Sequence, residues 1–396
     1  MYIVYWFYAA WHAAKEYYGI QVRLREMLES PVLVGGDGPW RGKSIAVVLN
    51  PVSGAGTAEA VFDSLVVPLM TMAGVEHSLM TTRAASDMTR VIAEVNWENF
   101  DALMVCGGDG TFNEAINALR ELAPGLETKL PLMLLPMGTS NGLVRSHGDA
   151  SVLEAAFRAL TSLPLPTDAW DVRIVPFAPG AEPVDRIDAF MMSWAMVAEH
   201  DDYQERKFRW MGPTLASLAA PLVTIAGMRH YEGTISFLPA PAAHARAVAA
   251  GHDYYVDPAT LPAVAPPEWH RLHADSPPDS DAQATWRTIP TPVVLCTAVN
   301  VAWQAADIQF SPGAVADDGA LDVCILGSGA SRLGALRIFI SIESGRHVTY
   351  PHTLFAKASA LHIVPASPSR LSLSGETLPF GEIRIVVRPS HLHMVR

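Results

Sequence analysis

Between Lys43 and Thr161, short apolar runs alternate with stretches whose apolar residues recur at helical spacing. Ser44 to Leu49, Val75 to Thr82, Ala102 to Cys106 and Leu132 to Leu135 read as strands. Between the first two, Val61, Leu65, Leu69 and Met72 share one helix face, kinked or ended near Pro68 because proline breaks the backbone ladder. After the third, Phe112, Ala115, Ile116, Leu119 and Leu122 repeat at three and four. Continuous apolar strands alternating with helices predict a mostly parallel, doubly wound α/β sheet covered on both faces. Ligands of such sheets sit beyond the carboxyl ends of the strands. The glycine-bearing turns fall there: Asn50 to Gly56, Gly107 to Thr111, and Leu135 to Asn141.

Beyond Thr161 the pattern shortens. Asp171 to Val175, Thr234 to Leu238, Pro292 to Val301, Leu321 to Leu326, Leu361 to Pro365 and Ile383 to Val387 are brief strand-like runs between turns, which predicts an antiparallel second domain. One helix, about Leu215 to Met228, interrupts them with Leu215, Leu218, Leu222 and Ile225. Pro239 to Pro290 is rich in proline, alanine and acids without periodicity, and reads as a flexible insertion. The expected division is an extension over 1–42, a first domain over 43–165 and a β-rich second domain over 166–396.

Composition narrows the function classes. A chain of 396 residues is long for one core, and with half its residues apolar and 17% charged it is well able to bury two. A net charge of −12 disfavours nucleic acid as a partner and gives no broad attraction to anionic membranes. The three cysteines, Cys106, Cys296 and Cys324, sit apart within apolar runs, the pattern of reduced, buried thiols in a cytosolic protein. Fourteen histidines show no zinc-type spacing. Met1 to Ala14 is apolar and aromatic but too short to span a bilayer; a packed surface element and an interfacial membrane foot are both open.

The chemistry concentrates at Gly107-Gly108-Asp109-Gly110-Thr111. A buried strand running into glycines that open a helix offers close backbone approach and unpaired N–H groups to an anion such as phosphate. Asp109 would then stand beside the phosphate, a poor choice for binding it and a good one for moving a proton or holding a metal. Gly35-Gly36-Asp37-Gly38 repeats four of those letters, but Pro39, Trp40 and Arg41 follow, so this copy reads as a turn or linker. Any one of the three strand-end turns alone is equally a tight turn; their alignment on successive strands points to a triphosphate site. No G-x-x-x-x-G-K-[ST] loop is present, which disfavours a Walker-type ATPase.

An N-P-x-x-G-x-G loop, a G-G-D-G-T loop and a P-x-G-T-x-N loop in that order resemble the diacylglycerol/sphingosine kinase superfamily. The resemblance runs from about Lys43 onward. Trp194 to Asp201, Phe208 to Gly212 and Arg229 to Gly233 are similar to the sphingoid long-chain base kinases. Phe310-Ser311-Pro312, Asp317 to Asp322, Gly345-Arg346-His347 and Ser374-Gly375-Glu376 also match the superfamily. The resemblance implies a nucleotide domain followed by a β-sandwich-like lipid-binding domain, and transfer of phosphate from ATP, with Mg²⁺, to the primary hydroxyl of a sphingoid base. It implies Asp109 as general base. For ATP it implies Asn50, Pro51, Val52, Thr81, Thr82, Arg83, Gly107, Gly108, Gly110, Glu114, Gly138, Thr139, Ser140, Arg209, Gly375 and Glu376. For the lipid it implies Glu199 as partner of the head-group amine and Leu215, Leu218 and Leu222 along the alkyl slot. It also implies a cytoplasmic protein in transient contact with membrane surfaces. The metal ligands and the oligomeric state are left unassigned.

Each of those residues has a plainer reading. Glu199 is equally a salt-bridge partner of Arg206 or Lys207, Arg209 a solvated loop cation, and the leucine stripe ordinary core. Two departures matter: Ser374 stands where the family usually has aspartate, and Pro213 to Ser217 lacks a further arginine common in sphingosine kinases. They keep a catalytically weak lipid-binding protein among the alternatives, beside a diacylglycerol or ceramide kinase. NAD kinases and phosphofructokinases share the G-G-D-G-T logic but lack the later motifs.

Overall fold

Three apolar runs and a largely exposed edge strand build the first sheet: β1 (Ser44–Leu49), β3 (Ala102–Gly107) and β4 (Leu132–Pro136), with β2 (Glu76–Thr81) at the edge. In the computed structural model, which describes residues 18–35, 37–54, 56–84, 87–149, 151–203, 213–269 and 285–396, all four pair in parallel in the order β2-β1-β3-β4. The chain therefore winds outward from β1 to β2, returns, and winds the other way through β3 and β4. Right-handed crossovers of opposite direction put helices on opposite faces, and every residue of β3 is buried accordingly. The doubly wound expectation is met, with the reversal of strand order between β1 and β3.

Two details of this unit differ from the periodic reading. The helix after β1 does not stop at Pro68: Ala58–Val61 passes through a π-helical stretch, Phe62–Val66, into Val67–Ala73. The wider turn shifts the register, so Phe62, Val66, Leu69, Met70 and Ala73 are buried while Met72 is exposed. In addition, His393–Arg396 belong to the first compact unit with residues up to Leu165, not to the second, which spans Pro166–Leu392. Met394 pairs in parallel with Leu132, and the Val395 N–H donates to the Leu132 carbonyl at 2.9 Å.

The second unit is built from β5 (Leu165–Pro176), β6 (Val184–Asp188), β7 (Met191–Ala195), β8 (Gly233–Pro239), β9 (Arg287–Ile289), β10 (Val293–Val299), β11 (Leu321–Gly327), β12 (Thr353–Pro365), β13 (Leu371–Leu373), β14 (Glu376–Leu378) and β15 (Gly381–Met394). Antiparallel pairing runs β14-β13-β7-β10-β11-β12-β15, with β8 also on β12 and β9 on β8. Its core includes Trp170, Trp194, Tyr231, Phe237, Val293, Val323 and Leu361. The three cysteines are buried and unpaired.

Much of the 239–290 stretch is ordered, contrary to the insertion expected there. Pro241–Ala249 is a helix with proline at its start and alanines along it, both favourable choices. The Val256 N–H donates to the Phe355 carbonyl at 2.8 Å, and Trp269 packs edge-on against Trp286 at 6.1 Å. A few aromatic anchors order a segment whose average composition suggested none. Residues 270–284 lie outside the described residues, as do 1–17, so the aromatic N-terminal segment does too. Gly35 and Gly38 of the second glycine cluster follow a one-turn helix, Pro31–Val34, and lead into turns.

A buried ionic cluster ties β11 to β12. Lys357 Nζ lies 2.7 Å from Asp318 Oδ2, 3.0 Å from Asp322 Oδ1 and 3.1 Å from the Gly313 carbonyl. Burial pushes Asp322 up to about 6 although Lys357 opposes that rise. For Lys357 the two carboxylates outweigh burial and hold its ammonium above the usual range. Lys357→Met leaves two buried carboxylates without a cation, and its unfolding free energy from urea titration should fall by about 3–5 kcal/mol.

Candidate active site

Register brings the glycine turns together. Thr81 of β2 is level with Leu49 of β1, Leu49 with Cys106 of β3, and Cys106 with Leu135 of β4. All four carboxyl ends thus finish on one line, and the turns at 50–56 and 107–111 leave β1 and β3 where the strand order reverses, the position at which doubly wound sheets bind ligands. The Asn50 N–H donates to the Cys106 carbonyl at 3.1 Å, and Asn50 Oδ1 accepts the Val52 N–H at 3.2 Å.

The β3 and β4 turns touch through backbone alone. Met137 and Gly138 N–H groups donate to the Gly107 carbonyl at 2.9 and 3.1 Å. A Cβ on Gly138 would lie 2.3 Å from Gly108 Cα, and one on Gly54 would lie 2.8 Å from the Met137 carbonyl oxygen. Side chains are excluded from these contacts, and what remains is a surface of peptide groups at the start of α1 (Asp109–Leu122). The first N–H groups of a helix lack partners within it and favour an anion. Thr139 and Ser140 are exposed beside them.

Asp109 is buried, and its carboxylate is engaged. Oδ2 accepts the Gly142 N–H at 2.8 Å and Oδ1 the Leu143 N–H at 3.1 Å, which caps the short helix α2 (Gly142–Ser146). Asn141 precedes that helix with φ 49°, and its Oδ1 accepts the Gly138 N–H at 2.9 Å. Burial pushes Asp109 up to about 6, against the backbone hydrogen bonds from Leu143, Gly142 and its own N–H, which lower it. The capping was not read from the sequence, although Asn141-Gly142 at a strand end is its signal. A carboxylate offers about four lone-pair positions, so these N–H donors do not fill it.

Thr82 is buried and its N–H donates to the Leu49 carbonyl at 3.0 Å, while Arg83 is exposed with its N–H on Asp87 at 2.8 Å. Glu114 lies half-buried one turn into α1. Among the described residues no group of three acidic, histidine or cysteine side chains could hold a metal.

The residues assigned to the lipid lie in the second unit. Glu199 sits in the first turn of α3 (Met196–Asp202). It forms an ion pair with Arg229, whose Nε donates to the Tyr231 hydroxyl at 3.0 Å. Burial foremost, and then the neighbouring Glu199 carboxylate, push the Tyr231 hydroxyl above the usual range. Arg206, Lys207 and Arg209 lie outside the described residues, as do the side chains of Leu215 and Leu218 in α4 (Pro213–Ala226). Leu222 on the same helix is 58% exposed, so it is not core. Arg229 and Tyr231 carried no role in the sequence reading; an arginine two residues before a buried tyrosine is too common a pattern to single out.

Ser374 and Gly375 form the two-residue turn between β13 and β14, with φ 48° and 86°, the left-handed pair of a type I′ hairpin. Ser374 Oγ donates to the buried Asp188 Oδ2 at 2.5 Å. An aspartate in its place would set two carboxylates against each other, which explains serine here. Glu376 follows, exposed, on β14.

A diacylglycerol kinase catalytic domain matches residues 44–169, and a YegS C-terminal NAD kinase beta sandwich-like domain matches residues 280–396. Sphingosine kinase 2 of Arabidopsis thaliana is 27% identical over 334 residues, covering 84% of this chain and 66% of that protein. The chain thus spans slightly under two thirds of that relative's length. Sphingosine kinase 1 of Homo sapiens is 25% identical over 370 residues, covering 89% of this chain and 90% of that protein. A putative diacylglycerol kinase from Bacillus anthracis str. Sterne superposes with a TM-score of 0.60 at 18% identity, over 89% of this chain and 97% of that one. At that identity the likeness shows the fold.

Gly138→Ala pushes the β3 and β4 turns apart, and its stability in urea should fall by about 1–3 kcal/mol. Thr139→Ala, on the exposed side of the same turn, should stay within about 0.5 kcal/mol of the parent.

Proposed function

Because the chain carries the diacylglycerol kinase catalytic domain and the YegS-type C-terminal domain, and so belongs with the lipid kinases, we propose that it transfers phosphate from ATP to the primary hydroxyl of a sphingoid long-chain base. One observation carries this reading: three glycine turns end in register at the reversal of strand order and meet through bare backbone. Such a surface suits a triphosphate, since peptide N–H groups can close on its oxygens without side chains intervening.

In this reading Asn50, Pro51, Val52, Gly107, Gly108, Gly110, Gly138, Thr139 and Ser140 hold the nucleotide, with Thr81, Thr82, Arg83, Glu114, Arg209, Gly375 and Glu376 contributing. Mg²⁺, when bound with the nucleotide, neutralises charge on the transferring phosphoryl group, and it needs few protein ligands because phosphates and water fill most of its shell. Asp109 accepts the proton of the attacking hydroxyl. Its remaining lone pairs leave room for that proton, and burial holds its acidity close to the working range. The backbone N–H groups of Gly142 and Leu143 keep the carboxylate aimed while it acts. Glu199 pairs with the amine of the lipid head group, and the exposed apolar side of α4 around Leu222 lies along its chain. The protein works in the cytoplasm at membrane surfaces, where its acceptor resides; among the described residues no helix is long and apolar enough to cross a membrane.

A second reading has its own observation. Arg229 already neutralises Glu199, which suits an uncharged acceptor such as ceramide or diacylglycerol.

Labelled phosphate transfer from ATP to sphingosine tests the reading. Asp109→Asn should lose about a hundredfold or more in kcat, the usual worth of a positioned base; equal rates for the two proteins would refute it. The wild-type rate should fall below about pH 6, where Asp109 takes up a proton, and stay level above it. Glu199→Gln should remove the preference for sphingosine over diacylglycerol, and an unchanged ranking assigns the amine to another group.

A further inference from the structure

The carboxylate expected to read the lipid amine is already occupied. From the solvent side Glu199 is held by Arg229, whose guanidinium lies 5.2 Å from the centre of the Tyr231 ring. Behind the pair stands Tyr231, a buried residue whose ring meets Trp194 edge-on at 6.1 Å and whose hydroxyl accepts the Arg229 Nε–H at 3.0 Å. The two ion-pair partners differ in their surroundings: the Glu199 side chain is 14% exposed and that of Arg229 is 60% exposed. A carboxylate so enclosed needs a counter-charge at all times. The arginine, mostly in water, gives up little on leaving, because half-exposed ion pairs are weak.

Resting on the reading of Glu199 as the head-group partner, we propose that Arg229 is a resident stand-in for the lipid ammonium. A cationic acceptor enters by exchange: its ammonium takes the place of the guanidinium on Glu199, and Arg229 swings into solvent. Charge is conserved, since one cation replaces another. A primary ammonium brings three donors to the same carboxylate in a smaller volume. A neutral head group, N-acylated or esterified, brings no charge and cannot evict the arginine. Arg229 is thus a specificity-determining residue: it sets the threshold that an amine must exceed and leaves neutral lipids unaffected.

The experiment reads binding without ATP, and so stands apart from turnover. Sphingosine and N-acetylsphingosine, each in mixed detergent micelles, are titrated into the full chain and followed by tryptophan fluorescence. With the competing cation gone, Arg229→Gln should bind sphingosine about 3- to 10-fold tighter, with N-acetylsphingosine unchanged. Arg229→Lys keeps the charge and should stay near the parent. Glu199→Gln should bind the two lipids alike. If Arg229→Gln binds sphingosine no tighter, or if both lipids move together, the exchange is overturned although Glu199 still reads the amine. If Glu199→Gln keeps the amine preference, or the parent binds neither lipid, the head-group reading falls and the exchange falls with it.

Discussion

One buried carboxylate organises the first unit. By accepting the N–H groups of Gly142 and Leu143, Asp109 fastens the turn after β3 to the helix after β4, across a seam where Gly108 and Gly138 leave no space for side chains. Removing the charge would free two helix-start donors and open the seam together. The same enclosure that makes the anchor strong raises its proton affinity, since burial disfavours the charged form more than its backbone donors favour it. Structural fastening and a raised proton affinity therefore draw on one property of one side chain.

Three carboxylate centres, at Asp109, at Asp318 with Asp322, and at Glu199, meet their counter-charge in different ways. Asp109 relies on peptide dipoles, which are fixed by the backbone and cannot leave. Asp318 and Asp322 share Lys357, whose ammonium is as buried as they are, so the cluster is permanent. Glu199 is paired with a cation that is itself mostly in water. Of these three, the last has the most exposed cation, and it lies where the resemblance expects a charged ligand. The difference in solvent exposure, more than the identity of the residues, separates a structural ion pair from one suited to recognition.

Strong periodicity made most of the first sheet legible: β1, β3 and β4 fall within a residue or two of their apolar runs, because buried parallel strands leave an unbroken apolar signature, while the largely exposed edge strand β2 was also placed within a residue. Loop motifs located the glycine turns for the same reason, since only glycine satisfies a Cβ distance of 2.3 Å. What stayed hidden depended on partners distant in sequence. The π-turn at Phe62–Val66 changes which helix face is buried without changing composition. Order in residues 241–269 rests on aromatic contacts such as Trp269 with Trp286, which no local pattern records. Arg229 lies 30 residues from Glu199, and Ser374 lies 186 from Asp188. The reason for serine in that turn became visible only when its acceptor was in view.

The return of His393–Arg396 to the first unit bears on how the chain is made. A ribosome releases the whole of Pro166–Leu392 before the residues that line the Leu132 edge of the parallel sheet emerge. Until then the Leu132 end of β4 lacks its outer partner, the kind of edge that recruits foreign strands. Nascent chains stalled late in translation would be the species most prone to clump, and chaperone demand should peak just before synthesis reaches Met394.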